Sequence, residues 1–511
     1  MELNMNSQFL VILSVFVVLL ILFRVLYTIW WRPKILENKL RNQGIRGNPY
    51  KLLQGDNGEF KRMMIEACSR PIPLTHRIAP RVTPFIHHMV QTYGKQSLSW
   101  FGTIPRLIIA DSELLKLVLA DKNNHFRKPP MNPLMELLSK GVFSLEGQKW
   151  AKRRRLISPA FHHQKIQGML PAFSACCCDL LDRLVKLVSP SGSCEIDMAC
   201  EFRAFSLDVI ARTAFGSNYK EGEKIFALQK EQIVLAMEAY HDIYFPGLRF
   251  IPTKKNRRRY ELDNQIKAIL RDMIQKREEN DTSNKDLDLL GLLLQCKADG
   301  NSEMTIEDII EECKLFYFGA QESTSNLLTW TSIVLSMHPD WQEKARDEVL
   351  HVCGTRIPEL PDLNRLKIVT MILHEVLRLY PPVVFFARHT THMTELGNLL
   401  VPAGVEVYLP VLLMHYDKEH WGEDAEEFNP ERFAEGVSNA SKAQRAYFPF
   451  GWGAKICLGK SFAMLEAKLA IAMLLQRFSF ELSPSYTHAP NTTTNLQPQH
   501  GATLILHQII S

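Results

Sequence analysis

Cys457 lies in the segment Pro449-Phe450-Gly451-Trp452-Gly453-Ala454-Lys455-Ile456-Cys457-Leu458-Gly459, a single sulfur among three glycines and directly ahead of a strongly helical run, Ser461 to Gln476. A cysteine in that place faces the positive end of the helix dipole, which favours thiolate over thiol. The glycines let backbone N–H groups turn toward the sulfur, and such hydrogen bonds tune a metal-bound thiolate. Type and spacing suit an axial metal ligand, although a solitary cysteine read alone is more often an inert buried side chain. In Phe318-Gly319-Ala320-Gln321-Glu322-Ser323-Thr324-Ser325 an acid and several hydroxyls follow two small residues, groups able to pass protons. The same hydroxyls could instead bond back to their own helix carbonyls. Glu375 and Arg378 stand three apart, a spacing that on an exposed helix face is worth only about 0.2–0.5 kcal/mol. Trp150 and Arg154 set an indole N–H donor and a guanidinium on one helical face.

Taken together, and in this order along the chain, the segments resemble the cytochrome P-450 family. Its haem-binding loop, F-x-x-G-x-R/H-x-C-x-G, is matched by Phe450, Gly453, Cys457 and Gly459. Lys455 departs from the usual Arg: it keeps a positive charge but offers no bidentate fork. The resemblance implies that Cys457 ligates the iron of haem b. It implies further that Trp150, Arg154, Arg388 and Lys455 partner the haem propionates, Arg388 through the pattern that begins at Tyr380-Pro381-Pro382. Glu375 and Arg378 become the family's E-x-x-R pair, joined by Arg432 of Pro430-Glu431-Arg432-Phe433 in a structural charge network. Glu322 is the distal acid. Ser323 occupies the usual Thr position and Ala320 the usual Gly, and three readings stay open: serine does threonine's work without the stiffening β-branch, Thr324 takes a larger part, or the relay is impaired.

Behind these residues the pattern predicts a mainly α chain with a smaller β portion, the cytochrome P-450 fold by resemblance, with one N-terminal transmembrane helix. Apolar residues recur at three- and four-residue spacing over 145–188, 196–240, 257–279, 305–337 and 339–353. Ser97–Phe101 and Arg106–Ile109 read as a hairpin around Gly102-Thr103-Ile104-Pro105, and strands return near 397–410, 478–482 and 503–506. Phe9 to Phe23 is uncharged and apolar, and the character resumes past Arg24 to Tyr27, Trp30 and Trp31. That is enough to cross about 30 Å of hydrocarbon. No small-x-small cleavage site follows it, so an uncleaved anchor is expected. Arg24, Arg32, Lys34, Lys39 and Arg41 come after the apolar run and no basic residue precedes it, which puts the body of the chain in the cytosol. The expected organisation is an anchor at 1–31, a linker at 32–55 and a haem-binding catalytic domain at 56–511. The sequons at Asn280-Asp281-Thr282, Asn439-Ala440-Ser441 and Asn491-Thr492-Thr493 should then stay bare.

The 511 residues are 46% hydrophobic and 23% charged, with 60 Lys and Arg against 55 Asp and Glu. That composition excludes a disordered or low-complexity chain, and the small charge excess argues against nucleic-acid binding. Ten cysteines without regular spacing fit a reducing compartment better than a disulfide framework, and the trio Cys176-Cys177-Cys178 reads as helix packing. The lead-in from Trp31-Arg32-Pro33 to Gly47 looks like the plant clan that includes secologanin synthase and gibberellin, brassinosteroid and triterpenoid oxidases. Such members sit on the cytosolic face of the endoplasmic reticulum and take electrons from NADPH-cytochrome P-450 reductase. The basic run Lys152–Arg155 would attract an acidic reductase surface. Lys254, Lys255 and Arg257–Arg259, near Phe245, Pro246, Leu248 and Phe250, would meet membrane lipids. By family position the pocket draws on 129–138, 240–250, 315–323, 383–387 and 491–496, largely apolar with Thr492, Thr493 and Thr494 adding hydroxyls. This suits O₂-dependent oxidation of a small lipophilic substrate, terpenoid or steroid-like. The alternatives are an O₂-independent haem-thiolate isomerase or dehydratase, and an inactive haem-binding membrane scaffold.

Overall fold

A computed structural model of the chain describes residues 2–138, 140–190, 192–216, 219–241, 247–280, 288–298, 304–442 and 446–509. Phe245, Pro246, Asp281 and Thr282, singled out above, lie outside the described residues. The chain forms two compact units: Met1–Ser69, Ala79–Pro129 and Phe385–Pro410 make one, and Arg70–Ile78, Pro130–Val384 and Val411–Ser511 the other.

The first unit is built on a six-stranded sheet in the order Arg46–Gly47, Gln96–Phe101, Ile104–Ile109, Glu406–Leu409, Phe386–Thr390, Phe126–Arg127. The expected hairpin is present, but its turn is only Gly102-Thr103, because Phe101 pairs with Ile104 and Trp100 with Pro105. Gly102 supplies the positive φ of +58° that so tight a turn requires. Pro105 is tolerated because pairing to the strand Glu406–Leu409 begins only at Arg106, so its missing N–H interrupts no ladder on that side. Arg106 and Glu406 form a buried ion pair at 2.7 Å across that parallel junction.

The same unit carries the N-terminal helix, which runs over Gln8–Arg41 and whose most apolar stretch is wholly unburied against the rest of the protein. A soluble core helix would be covered; this one is long and apolar enough to cross a bilayer. Pro33 cannot give an N–H to the Ile29 carbonyl one turn earlier, which would ordinarily break a helix. Here the backbone widens to a π-turn over Tyr27–Trp31, and the Tyr50 hydroxyl donates to that Ile29 carbonyl at 2.5 Å. The helix therefore continues as Arg32–Arg41, burying Leu36 and Leu40.

In the second unit the long helix Ile306–Met337 opens on a capping box between Thr305 and Asp308 and is buried along most of its length. Two of the expected helical stretches are broken, and the breaks have local causes. Between 145 and 188 the chain makes Gly147–Ile157, a 3₁₀ turn Ser158–Phe161, His163–Gly168 and Leu170–Leu187. Pro159 and Pro171 lack the N–H an interior position needs, so each is accommodated in the first turn of a new element. Between 193 and 241 a strand, Ser193–Asp197, precedes the helix Met198–Phe215, which ends on Gly216 in the left-handed conformation before the helix Tyr219–His241 begins. That strand pairs with Thr503–Gln508, which pairs with Phe478–Leu482. Helices Lys254–Asn280, Pro339–Cys353 and Lys367–Leu379 complete the frame.

The long helix also turns charges inward. The Lys314 ammonium is fully buried and meets Asp263 at 2.6 Å, Glu311 at 3.2 Å and the Leu137 carbonyl at 2.7 Å. Glu312 accepts from the Val142 N–H at 3.0 Å and from Arg153 at 2.9 Å. These bonds fasten Leu137 and Val142 to the helix. Cys176 and Cys177 are buried in the helix Leu170–Leu187, the packing role expected of them.

Candidate functional site

The loop ahead of the helix Lys460–Arg477 is shaped by its glycines. Gly451 and Gly453 have φ of +77° and +71°, conformations a side chain would strain. The Cys457 N–H closes the loop on the Phe450 carbonyl at 2.9 Å, and the Gly459 backbone faces the sulfur. Cys457 is exposed by surface, yet so enclosed by surrounding atoms that burial pushes its thiol pKa up. Enclosure with open surface is the mark of a residue on the wall of an interior cavity. The Gly459 N–H, Arg154 and Lys460 act in the opposite direction without outweighing burial.

Trp150, Arg154, Lys455 and Cys457 come together. The Lys455 ammonium sits 5.5 Å from the Trp150 ring centroid and is paired with Glu146, the residue that precedes the helix Gly147–Ile157. Arg154 is half-buried and within electrostatic reach of the Cys457 sulfur. Arg388 lies in the first unit, nearly buried in the strand Phe386–Thr390, with its guanidinium on the Ala387 carbonyl at 2.8 Å.

Glu322, Ser323 and Thr324 stand on the long helix where its burial is interrupted. Gly319 is exposed between the part-exposed Phe318 and Ala320, and a Cβ built on it would meet nothing within 4 Å. Ser323 Oγ donates to the Gly319 carbonyl at 2.9 Å, leaving its oxygen free to accept, while Thr324 is buried. Glu322 accepts from Thr494 Oγ1 at 2.6 Å, and burial raises its carboxyl pKa. An enclosed sulfur with open surface, cations nearby, and a helix opened at a glycine fit a flat, dianionic, iron-bearing cofactor such as haem.

The charge network behind the loop is complete. Arg378 grips Glu375 by two bonds of 2.7 Å with both side chains fully buried, and its remaining N–H groups reach the carbonyls of His415, Ala425 and Glu427. Arg432 lies 3.5 Å from Glu375 and donates to the carbonyls of Trp421 and Asp424. His415, which sequence reasoning missed, links this network to the loop. Its Nε2 accepts the Phe448 N–H at 2.9 Å and its Nδ1 meets the Arg378 carbonyl at 3.0 Å, an arrangement that needs the neutral Nδ1–H tautomer. Burial and the neighbouring Arg378 push its pKa down to about 3. The only sequence signal was a lone histidine closing the apolar run Val411–Met414.

The profile of the family described as Cytochrome P450 matches residues 76–506. Cytochrome P450 CYP72A616 of Paris polyphylla is 51% identical over 491 residues, covering 94% of this chain and 95% of its own. Secologanin synthase 2 of Catharanthus roseus is 48% identical, covering 95% and 94%, and 11-oxo-beta-amyrin 30-oxidase of Glycyrrhiza uralensis is 48% identical, covering 94% of each. Among solved structures, the retinoic acid bound cyanobacterial CYP120A1 shares the fold, with a TM-score of 0.76 over 91% of this chain and 99% of that one at 20% identity. Identity of this extent over nearly the whole length settles the family: the chain belongs to the cytochrome P450 family, whose members are monooxygenases that hold haem through an axial cysteine thiolate.

Proposed function

We propose that the chain oxidises a lipophilic terpenoid or steroid-like plant metabolite with O₂ and NADPH-derived electrons. It does so from the cytosolic face of the endoplasmic reticulum, as a single-pass protein served by NADPH-cytochrome P-450 reductase. The observations that carry this reading are the enclosed but open-surfaced Cys457 and, on the long helix, the opening at Gly319. Relatives named for secologanin and for 11-oxo-beta-amyrin support the substrate class, as do the apolar segments assigned to the pocket. Residues 1–31 anchor, 32–55 lead in and 56–511 carry the catalytic domain.

Haem bound through a cysteine thiolate would supply redox chemistry toward O₂. Cys457 would hold its iron in this chain. Trp150, Arg154 and Lys455 would hold the propionates, Lys455 while paired with Glu146; the assignment of Arg388 to the same task rests on its motif. Gly319 and Ala320 leave room for O₂. Glu322 with Ser323 or Thr324 organises the protons: the Ser323 hydroxyl, having given its own hydrogen to the Gly319 carbonyl, can accept one from an ordered water.

Expression in microsomes with a reductase, followed by an untargeted screen of terpenoid and steroid substrates, tests the function. An oxygenated product that requires both O₂ and NADPH is expected, and product formed without either would overturn the reading. In the same membranes C457S should lose the reduced carbon monoxide spectrum of thiolate-ligated haem.

A further inference from the structure

The carboxyl of Glu322 does not stand free on the long helix. Thr494 Oγ1 donates to its Oε1 at 2.6 Å, while Oε2 is buried with no partner within hydrogen-bond distance among the described residues. Thr494 belongs to the turn between the strands Pro490–Thr492 and Leu496–Pro498, which pair with Thr492 opposite Leu496. The far end of that turn is firmly held. The Leu496 N–H donates to the Pro382 carbonyl at 2.9 Å, and its carbonyl accepts from Trp330 Nε1 at 3.2 Å. The groups facing Glu322 are Thr494 and Asn495 from the turn and Arg203 from the helix Met198–Phe215. The carboxylate takes its direction from this turn: Thr494 makes the larger interaction and the Asn495 side chain adds a smaller one.

We propose that Thr494 is a positioning residue for Glu322: it aims the acid for proton delivery, so that contact between a substrate and the turn Thr493–Asn495 is transmitted to the proton supply. This rests on the reading of Glu322 as the relay acid. The turn is one of the segments assigned to the substrate pocket, and Thr494 makes its short hydrogen bond to the long helix's acid. A substrate that displaces the turn releases the tether, and the carboxyl is then free to turn its second oxygen to a new partner. Burial already raises the Glu322 pKa and Thr494 pulls it back, because a donated hydrogen bond stabilises the charged form. Losing the donor therefore raises the pKa further.

The test uses the haem-loaded full-length enzyme with its reductase, without added substrate, as wild type, E322Q, T494V and T494S. Two readings are taken. One is the infrared carbonyl band of the protonated carboxyl, identified as the band E322Q lacks, followed through a pH titration. The other is peroxide released per NADPH oxidised. T494V keeps the shape of threonine but cannot donate; it should raise the titration midpoint by about one pH unit and bring peroxide release to the E322Q level. T494S should restore both. A T494V band and midpoint equal to wild type would overturn the proposal. If E322Q itself leaves peroxide release unchanged while T494V still shifts the titration, Glu322 is not the relay acid. The tether then has no part in the reaction, and the failure lies with the underlying reading rather than with the contact. Should T494V lose haem, T494A removes the same donor without a valine to accommodate and gives the same two readings.

Discussion

At Ser323 a single hydroxyl decides between two uses of the same helix. Bonded to the Gly319 carbonyl at 2.9 Å, it could pass for a side chain that merely satisfies itself. Its place beside an exposed glycine, with a carboxyl next to it, gives that bond a second meaning: the hydroxyl is oriented, with its lone pairs open. Changing Ser323 to Ala should therefore lower product formed per NADPH by about ten- to a hundredfold and raise peroxide correspondingly, while Ser323 to Thr should keep the coupling. Equal peroxide in S323A and wild type would move the relay to Thr324. Cys457 could be read from sequence because four motif positions coincide around it. Glu146 could not, since nothing in its surroundings marks it. It acquires its role only when the start of a helix delivers it to Lys455, 309 residues further along the chain. Thr494 was legible as a pocket hydroxyl but not as the partner of Glu322, because that contact spans 172 residues.

Among the elements, the helix Lys367–Leu379 shows how a fork of charge is made to hold a loop. Glu375 and Arg378 are sealed from water, and the guanidinium hydrogen bonds not made to Glu375 go to three carbonyls of the chain that leads toward Cys457. Glu375 to Gln leaves Arg378 buried without its counter-charge, which typically costs about 3–5 kcal/mol. The variant should unfold earlier in denaturant and purify with less haem. Full haem content with unchanged unfolding would show the pair to be dispensable. From sequence the i, i+3 spacing alone suggested a weak surface pair; burial, which no local pattern reveals, changes its weight. The long helix was legible over its whole length because its periodicity is unbroken and its cap is local. The divisions near Pro159, Pro171 and Gly216 carried signals that the periodic pattern overrode. The strand Ser193–Asp197 is defined by a partner, Thr503–Gln508, some three hundred residues away, so no reading of its own five residues could establish it.

For the molecule as a whole, buried titratable groups set the response to pH. Burial pushes His76 and His415 down to about 3 and His374 to about 4. The unfolded chain takes up these protons as pH falls through 6.5, whereas the native state refuses them until about 3 to 4. Stability is therefore lost as acid is added across that window, by up to about 1.4 kcal/mol per pH unit for each histidine. Glu466, whose buried carboxyl accepts from Ser206 at 2.8 Å, acts in the opposite sense. Its pKa is pushed up to about 8, so between 4.5 and 8 the native state keeps a proton the unfolded chain has shed, and its contribution is lost as pH rises. The denaturant midpoint of E466Q should climb relative to wild type from pH 5 to pH 8; a constant difference would show that Glu466 is already ionised at neutrality. A last consequence follows from the Tyr50 bond to the Ile29 carbonyl. With 34 residues the N-terminal helix is about 50 Å long, and a bilayer core takes about 30 Å of it. The remaining length is the same unbroken rod, seized by Leu36, Leu40 and Tyr50. With the span in a bilayer, a thinner membrane that tilts the rod has no swivel in which to lose the angle. Lipid thickness then acts on the six-stranded sheet as a torque.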